Sequence, residues 1–147
     1  MAMTNPYQSQ QYQQQQYQLQ YQQQQVLTAP PDKLLLMLFD GALRFCGQAK
    51  KALEAGELAE CHQFIVKTQD IIIELESSLN MDYEISASLF ALYDYLYRRL
   101  VEANIKKDTA ILEEVMDFLT DLRQMWVDVA LQLRREQKRV VGGEPVE

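Results

Sequence analysis

Apolar residues recur at alternating spacings of three and four through most of this chain, and no other feature of the sequence limits its fold as strongly. The pattern divides into four segments, at residues 31–55, 57–79, 83–105 and 109–139. Such spacing places an apolar stripe along an α-helix and does not fit the strict alternation of a β-strand. Four long amphipathic helices with short connections predict an all-α fold, an antiparallel four-helix bundle.

Residues at the segment ends support these boundaries. Pro31 is favourable in a first helical turn, Gly56 suits a C-terminal cap, and Asp108 is the expected N-cap of the fourth helix. The fourth segment leaves one alternative open, in which its last turns form a separate short helix.

The third segment carries more apolar surface than one helix seam needs. A first stripe consists of Ile85, Leu89, Leu92, Leu96, Leu100 and Ala103. A second stripe, about 100° round the helix, consists of Phe90, Tyr93 and Tyr97. Periodicity does not decide which stripe faces the core. The aromatic stripe is therefore either ordinary core or a groove for an amphipathic helix of a partner, where a tyrosine hydroxyl stays in water.

The N-terminal region differs sharply in composition. Residues 1–31 carry no charged side chain, and residues 8–25 hold 13 Gln and 3 Tyr. Because so little aliphatic surface does not offset the entropy of ordering a chain, we predict a disordered Gln/Tyr-rich tail at residues 1–27. The bundle domain then covers residues 28–139, and a disordered C-terminal tail covers residues 140–147. The N-terminal tail is either a solvated segment prone to β-aggregation or a weak lid across the groove.

Charge and cysteine content narrow the cellular setting. The net charge of −7 argues against nucleic-acid binding, which depends on neutralising phosphates. No run reaches the roughly 18 apolar residues of a membrane span, and the N-terminus lacks the pattern of a secretory signal. Cys46 and Cys61 lie on apolar faces, which is typical of buried free thiols in a reducing compartment. We therefore predict a cytoplasmic protein without membrane insertion.

Patterns for catalysis and cofactors are missing from the sequence. A di-iron centre in a helical bundle takes Glu-x-x-His motifs from two helices, whereas this chain has one histidine, His62, with Ala59 three residues before it. The stretch from Gly41 to Gly47 lacks the lysine of a phosphate-binding loop and lies inside a predicted helix. We expect no cofactor, no metal ion and no enzymatic activity.

Several blocks of the sequence, read in order, resemble one protein family. The strongest lie in the third segment, at residues 81–86 (MDYEIS) and 91–104 (ALYDYLYRRLVEAN). The other matching blocks are residues 5–8 (NPYQ), 28–31 (TAPP), 36–41 (LMLFDG) and 113–115 (EEV), with Trp126 downstream. Together they resemble the flagellin export chaperone family, FliS, over roughly residues 26–133 and the first few residues.

The resemblance implies a cytosolic chaperone that binds the disordered C-terminal segment of flagellin, prevents premature polymerisation and presents flagellin to the export gate. It also implies that Tyr7 contacts the export machinery or belongs to a lid that the client displaces. It favours the groove interpretation of the third segment, with Ile85, Phe90, Tyr93 and Tyr97 as groove candidates. The sequence leaves open whether the protein forms a homodimer. It also leaves open a different function, that of a helical scaffold that self-associates through the Gln/Tyr tail.

Overall fold

The computed structural model describes the backbone of residues 31–141 and the side chains of residues 33–136, 138 and 139. The described residues form four α-helices: α1 (Pro31–Glu54), α2 (Leu58–Ser77), α3 (Glu84–Lys106) and α4 (Thr109–Val141). The all-α prediction is confirmed, and each predicted segment corresponds to one helix.

Both predicted tails fall largely or wholly on residues beyond this range. Tyr7 and the predicted N-terminal tail at residues 1–27 lie outside the described residues. At the other end, α4 continues without a break to Val141, so the described residues contain no separate C-terminal helix. The rest of the predicted C-terminal tail, residues 142–147, also lies outside the description.

The chain divides into two compact units, residues 1–34 and residues 35–147. The described part of the first unit is the first turn of α1, residues 31–34. The second unit holds the remainder of the four helices, and all contacts described below lie within it.

Two of the predicted helix ends are confirmed in atomic detail. Gly56 adopts a left-handed φ of 75°, and its N–H donates to the Leu53 carbonyl while the Glu57 N–H donates to the Ala52 carbonyl. This pair of hydrogen bonds is the Schellman motif, which favours glycine at that position. At the start of α4, the Asp108 carboxylate accepts a hydrogen bond from the Ala110 N–H at 2.9 Å, as an N-cap does.

Neighbouring helices run antiparallel. In each pair of helices, contacts at higher residue numbers of one helix involve lower residue numbers of the other, which is the order that antiparallel neighbours require. The pairs are Asp40–Arg123 and Cys46–Leu112 between α1 and α4, Phe45–Phe64 and Gly41–Ile71 between α1 and α2, and Tyr93–Trp126 and Arg99–Glu114 between α3 and α4. At Gly41, α1 and α2 lie close together, since an added Cβ would lie 3.1 Å from the Ile71 Cδ1.

The core-facing side of α3 takes residues from both predicted stripes. Its buried residues are Ser86, Leu89, Tyr93, Leu96, Leu100 and Ala103. Tyr93 has no exposed surface, and the Trp126 Nε1–H donates to its hydroxyl at 3.4 Å, which gives the buried oxygen a partner. Ile85 and Leu92, which belong to the first stripe, are 62% and 37% exposed. The arc that faces the core therefore lies between the two stripes.

Both cysteines are free and buried, as predicted. The Cys46 thiol lies 3.6 Å from the Leu112 carbonyl, and burial raises its pKa to about 12. A thiol held in this way is inert, because the thiolate is the reactive form. Among the helices that the structure describes, none is long and apolar enough to cross a membrane.

Candidate partner-binding groove

An open groove of about 480 Å³ runs between α2 and α3. It is lined by His62, Val66 and Gln69 from α2, by Tyr97, Val101, Asn104 and Ile105 from α3, and by Lys107, the C-cap of α3. We call it the α2/α3 groove. Its floor is mainly apolar, and Ile105, the most open of its apolar residues, is 79% exposed.

Helical spacing explains why these residues share one face. On α3, Tyr97, Val101 and Ile105 follow each other at intervals of four. Phe90 lies seven residues before Tyr97, so it continues the same face by two turns and is 41% exposed. On α2, Ile73 continues the face of Val66 in the same way. From Phe90 to Ile105 the apolar strip extends about 22 Å, or roughly four helical turns.

The end of the groove near the C-terminus of α3 is polar and cationic. Lys107 donates a hydrogen bond from Nζ to Oδ1 of Asn104, and Nδ2 of Asn104 lies 2.8 Å from Nδ1 of His62. These contacts join the start of α2 to the end of α3. Lys107 itself has a left-handed φ of 51°, with which α3 terminates.

Two carboxylates lie outside the lining of the groove, nearer the end of α2 and the start of α3 than the lining residues are. Glu76, near the end of α2, is half-buried, and the charge of Asp94 acts on it from α3. Burial first and Asp94 second raise the pKa of the Glu76 carboxyl. Asp94 has a cationic partner on its own helix, Arg98, at 3.2 Å.

The other side of α3, which faces α4, is built differently. Arg99 pairs with Glu114 at 2.8 Å and with Glu102, and Lys106 pairs with Glu102 at 2.6 Å. The Tyr95 hydroxyl donates to Glu114 at 2.5 Å. The hydrogen bond from Arg99, followed by that from Tyr95, lowers the pKa of the Glu114 carboxyl. We call this set of side chains the α3/α4 network.

A shallower depression lies beside the α3/α4 network. Its volume is about 380 Å³, and it is lined by Ala110, Glu113, Glu114, Asp117, Phe118 and Asp121. Four of these six side chains are acidic, and one of them, Glu114, already has partners in the network. Phe118 packs against the Tyr95 ring, with centroids 5.8 Å apart. Within the described residues, no group of three or more His, Cys, Asp or Glu side chains is arranged to hold a metal ion.

The structure brings two of the predicted groove candidates together. Tyr97 lines the α2/α3 groove. Phe90 is not one of the lining residues, but its spacing of seven from Tyr97 places it on the same face of α3. Tyr93 lies in the core instead, because it faces the centre of the bundle and has no exposed surface for a partner to contact. Ile85 is exposed, but it precedes Leu92 by seven residues and Arg99 by fourteen, which places it on the α4 side of the helix.

The sequence did not predict that residues of α2 line the groove. Val66 and Ile73 lie off the stripe of the second segment that faces the core, and their exposure is the signal that they serve another surface. Isolated apolar residues on a helix surface are common, however. They become a groove only when the neighbouring helix is known to present Tyr97 and Val101 beside them.

Comparison with known proteins gives consistent matches. Residues 12–133 match the family described as flagellar protein FliS. The flagellar secretion chaperone FliS of Bacillus subtilis is 43% identical over 143 residues, which cover 97% of this chain and 98% of that protein. FliSB of Pseudomonas aeruginosa is 36% identical over 69% of this chain and 82% of its own length. FliS of Salmonella typhimurium is 32% identical over 78% of this chain and 87% of its own length.

Proposed function

The chain belongs to the FliS family of flagellar secretion chaperones, and we propose that it binds the disordered C-terminal segment of flagellin in the cytoplasm. Binding keeps flagellin from polymerising early and delivers it to the flagellar export apparatus. The α2/α3 groove is the surface that holds the client. The protein works without a nucleotide and without catalysis, on binding energy alone.

The observation that carries this proposal is an apolar strip about four turns long that the bundle leaves open between two of its own helices. A disordered segment that folds on binding must offset its own ordering entropy. Burial of apolar surface, at about 25 cal/mol per Å², is the main term available for that. Such surface is supplied by Val66, Tyr97, Val101 and Ile105 in the groove, and by Phe90 two turns before Tyr97. The apolar face of an amphipathic helix fits a strip of this form.

Contacts with the export apparatus are assigned to Tyr7, on the family resemblance of the residues around it. Tyr7 lies outside the described residues, so this part of the proposal rests on the sequence. The proposal allows either a monomer or a homodimer.

The test is a calorimetric titration of the full chain with the C-terminal segment of flagellin from the organism that carries this chain. We expect saturable 1:1 binding, a negative heat-capacity change from apolar burial, and added helix in the circular dichroism of the mixture. No binding at tens of micromolar, with the chain shown to be folded and residues 1–25 deleted, would contradict the proposal.

A matched pair of variants locates the binding surface. Val101 and Leu92 lie on the same helix and are almost equally exposed, at 38% and 37%, but they face α2 and α4 respectively. Val101→Ser should weaken client binding about tenfold, because it removes buried methyl groups from the contact. Leu92→Ser should leave binding unchanged. The reverse result would place the client on the α4 side of α3.

The Gln-rich tract at residues 8–25 favours a second candidate function, a scaffold that self-associates through its tail. Deleting residues 1–25 separates the two functions. A scaffold becomes monomeric and loses its activity, whereas a chaperone with a displaceable lid binds its client as well as before or better. Light scattering and the same titration measure both outcomes.

A further inference from the structure

We propose that the polar end of the α2/α3 groove, formed by Lys107, Asn104 and His62, binds an Asp or Glu side chain of the client segment. This inference rests on the proposed function, because it concerns what the same groove selects in its client. It adds a requirement that the apolar strip does not set. The client helix must carry a carboxylate at the border of its apolar face, where it meets these three side chains.

The hydrogen bonds at this end of the groove have one consistent direction. An ammonium group donates and does not accept, so the Asn104 amide turns its Oδ1 toward Lys107. Nδ2 of Asn104 is then the donor to Nδ1 of His62, 2.8 Å away, and a neutral His62 carries its proton on Nε2. The orientation of all three side chains therefore follows from the charge of Lys107.

These side chains offer a ligand mainly hydrogen-bond donors. Lys107 donates one hydrogen bond to Asn104, which leaves two N–H groups on its ammonium. His62 presents Nε2–H, and Asn104 has a second N–H on Nδ2. Only the remaining lone pair of the Asn104 Oδ1 accepts. A carboxylate, which only accepts, matches this set and forms charge-assisted hydrogen bonds with it, whereas an ammonium or guanidinium group would meet other donors.

The charge of Lys107 is not compensated inside the protein. Within the described residues, neither Lys107 nor His62 has an ion pair with a carboxylate. The neighbouring Lys106 differs, since its ammonium group pairs with Glu102 at 2.6 Å. Lys107 is nevertheless half-buried, with its ammonium group held by Asn104 at the end of the groove. A partner that supplies a carboxylate there gains a favourable charge pair.

The carboxylates nearest to this end along the chain occupy other positions. Asp108 is the N-cap of α4, and Glu102 belongs to the α3/α4 network. Glu60 is exposed and lies about 160° round α2 from His62, and Glu57 precedes that helix as its N-cap. None of these four carboxylates lines the groove. The polar end therefore favours a carboxylate that comes from a partner.

The test is a double-mutant cycle between the full chain and the flagellin segment. Each Asp or Glu of the segment is replaced in turn by Asn or Gln, and each peptide is titrated calorimetrically against the wild type and against Lys107→Gln. Gln is unbranched like Lys and keeps a non-glycine residue at the left-handed φ of 51°. One acidic position should be coupled to Lys107: its replacement should weaken binding about fivefold for the wild type and leave binding to Lys107→Gln unchanged.

Two further peptides identify the source of the carboxylate and separate the two proposals. Amidation of the C-terminus of the peptide should leave binding unchanged. Coupling of Lys107 to the terminal carboxylate instead, or to no carboxylate of the peptide, overturns the proposal. A peptide in which every Asp and Glu is replaced should still bind saturably through the apolar strip. Saturable heat without coupling therefore removes the carboxylate site and keeps the proposed function, whereas no heat with any peptide removes both.

Two variants of the chain supply the controls. Lys106→Gln removes the same charge one residue away, from a lysine of the α3/α4 network, and should be coupled to no position of the peptide. Equal coupling of both lysines would mean that only net charge matters, which overturns the proposal. Asn104→Asp places a carboxylate of the protein itself beside Lys107, so it should weaken binding of the acidic peptide about threefold and leave binding of its neutral variant unchanged. Equal weakening of both peptides would also overturn the proposal.

Discussion

The two sides of α3 contain the same kinds of residue but arrange them differently. Toward α4, Tyr95 donates its hydroxyl to Glu114, and Arg99 completes a network of ion pairs. Toward α2, Tyr97 lines an open strip with Val66 and Val101. Tyr95 and Tyr97 are both half-buried and only two residues apart, so exposure alone does not distinguish them. What separates them is whether the surrounding polar groups already have partners.

This difference indicates which side can take up an apolar partner. Covering the α3/α4 network would remove Arg99, Glu102 and Glu114 from water, and desolvation of charged groups opposes binding. Covering the α2/α3 groove removes mainly hydrocarbon from water, which favours binding. A client that must fold while it binds therefore gains more on the α2 side. The predictions below separate core, groove and network by the size and kind of effect.

The largest effect is expected from Tyr93→Ala, which removes a fully buried ring from the core between the two sides. We expect the free energy of unfolding to fall by about 3–5 kcal/mol, the range for large aromatic side chains in a core. Urea unfolding followed by circular dichroism measures it. Tyr93→Phe removes only the hydrogen bond from Trp126 and should cost about 1 kcal/mol. A loss below 1 kcal/mol for Tyr93→Ala would place this residue outside the core.

Tyr97→Ala should produce the second largest effect, but on binding rather than on folding. Aromatic anchors near the centre of an interface often contribute 2 kcal/mol or more, so we expect about thirtyfold weaker binding of the flagellin segment. The loss of folding stability should stay near 1 kcal/mol, because the ring is half-buried. Tyr95→Phe, on the α4 side, is the control for binding. If Tyr97→Ala unfolds the chain while binding per folded molecule is unchanged, the ring belongs to the core and not to the groove.

Most of the fold could be predicted from the sequence, because its signals are local. The 3–4 spacing and the caps at Gly56 and Asp108 depend on nearby residues, and the helix ends follow them closely. The rotation of α3 about its axis was not predictable in the same way. Leu89, Tyr93 and Leu96 face the core because of where the other three helices lie, and one helix's periodicity carries no information about its neighbours.

The candidate site was predicted in part, for the same reason. Phe90 and Tyr97 form the outer edge of an aromatic stripe. Tyr97 borders α2 in the groove, and Phe90 lies on the same face of α3 by helical spacing. Ile85 belongs to the other side of the helix, and Tyr93 lies between the two. The polar end of the groove combines residues that are far apart in sequence, such as His62 with Asn104, so a local pattern does not reveal it.

The substitution Glu114→Gln breaks the α3/α4 network and tests the side of α3 that faces α4. We expect a loss of about 1 kcal/mol in unfolding free energy at pH 7, from charge-assisted hydrogen bonds at a partly exposed site. The folded pKa of Glu114 lies below its unfolded value, so its stabilisation is present above the unfolded pKa and is lost as the pH falls through the folded pKa. The difference between wild type and variant should therefore shrink in acid. Client binding should not change, and a weakening comparable to that of Tyr97→Ala would move the client to the α4 side.

The smallest effect is expected from Glu76→Gln, at a half-buried carboxylate near the end of α2. The folded pKa of Glu76 lies above its unfolded value, so the native state holds this proton more tightly than the unfolded chain does. The ionised carboxylate therefore destabilises the fold above the folded pKa, and the penalty vanishes as the pH falls below the unfolded pKa. Glu76→Gln should raise the unfolding free energy at pH 7 by about 0.5 kcal/mol and leave it unchanged in acid. Glu74→Gln, at an exposed position two residues earlier, is the matched control.

The sign of the change in unfolding free energy distinguishes the two sides of α3 more directly than its size does. Replacing a carboxylate by an amide should destabilise the α4 side at Glu114 and stabilise the α2 side at Glu76. Glu114 has cationic and hydroxyl partners, whereas burial and then the charge of Asp94 raise the pKa of Glu76. Urea titrations of the two variants and the wild type measure both changes. Destabilisation of the protein by Glu76→Gln would mean that this carboxylate already has a favourable partner.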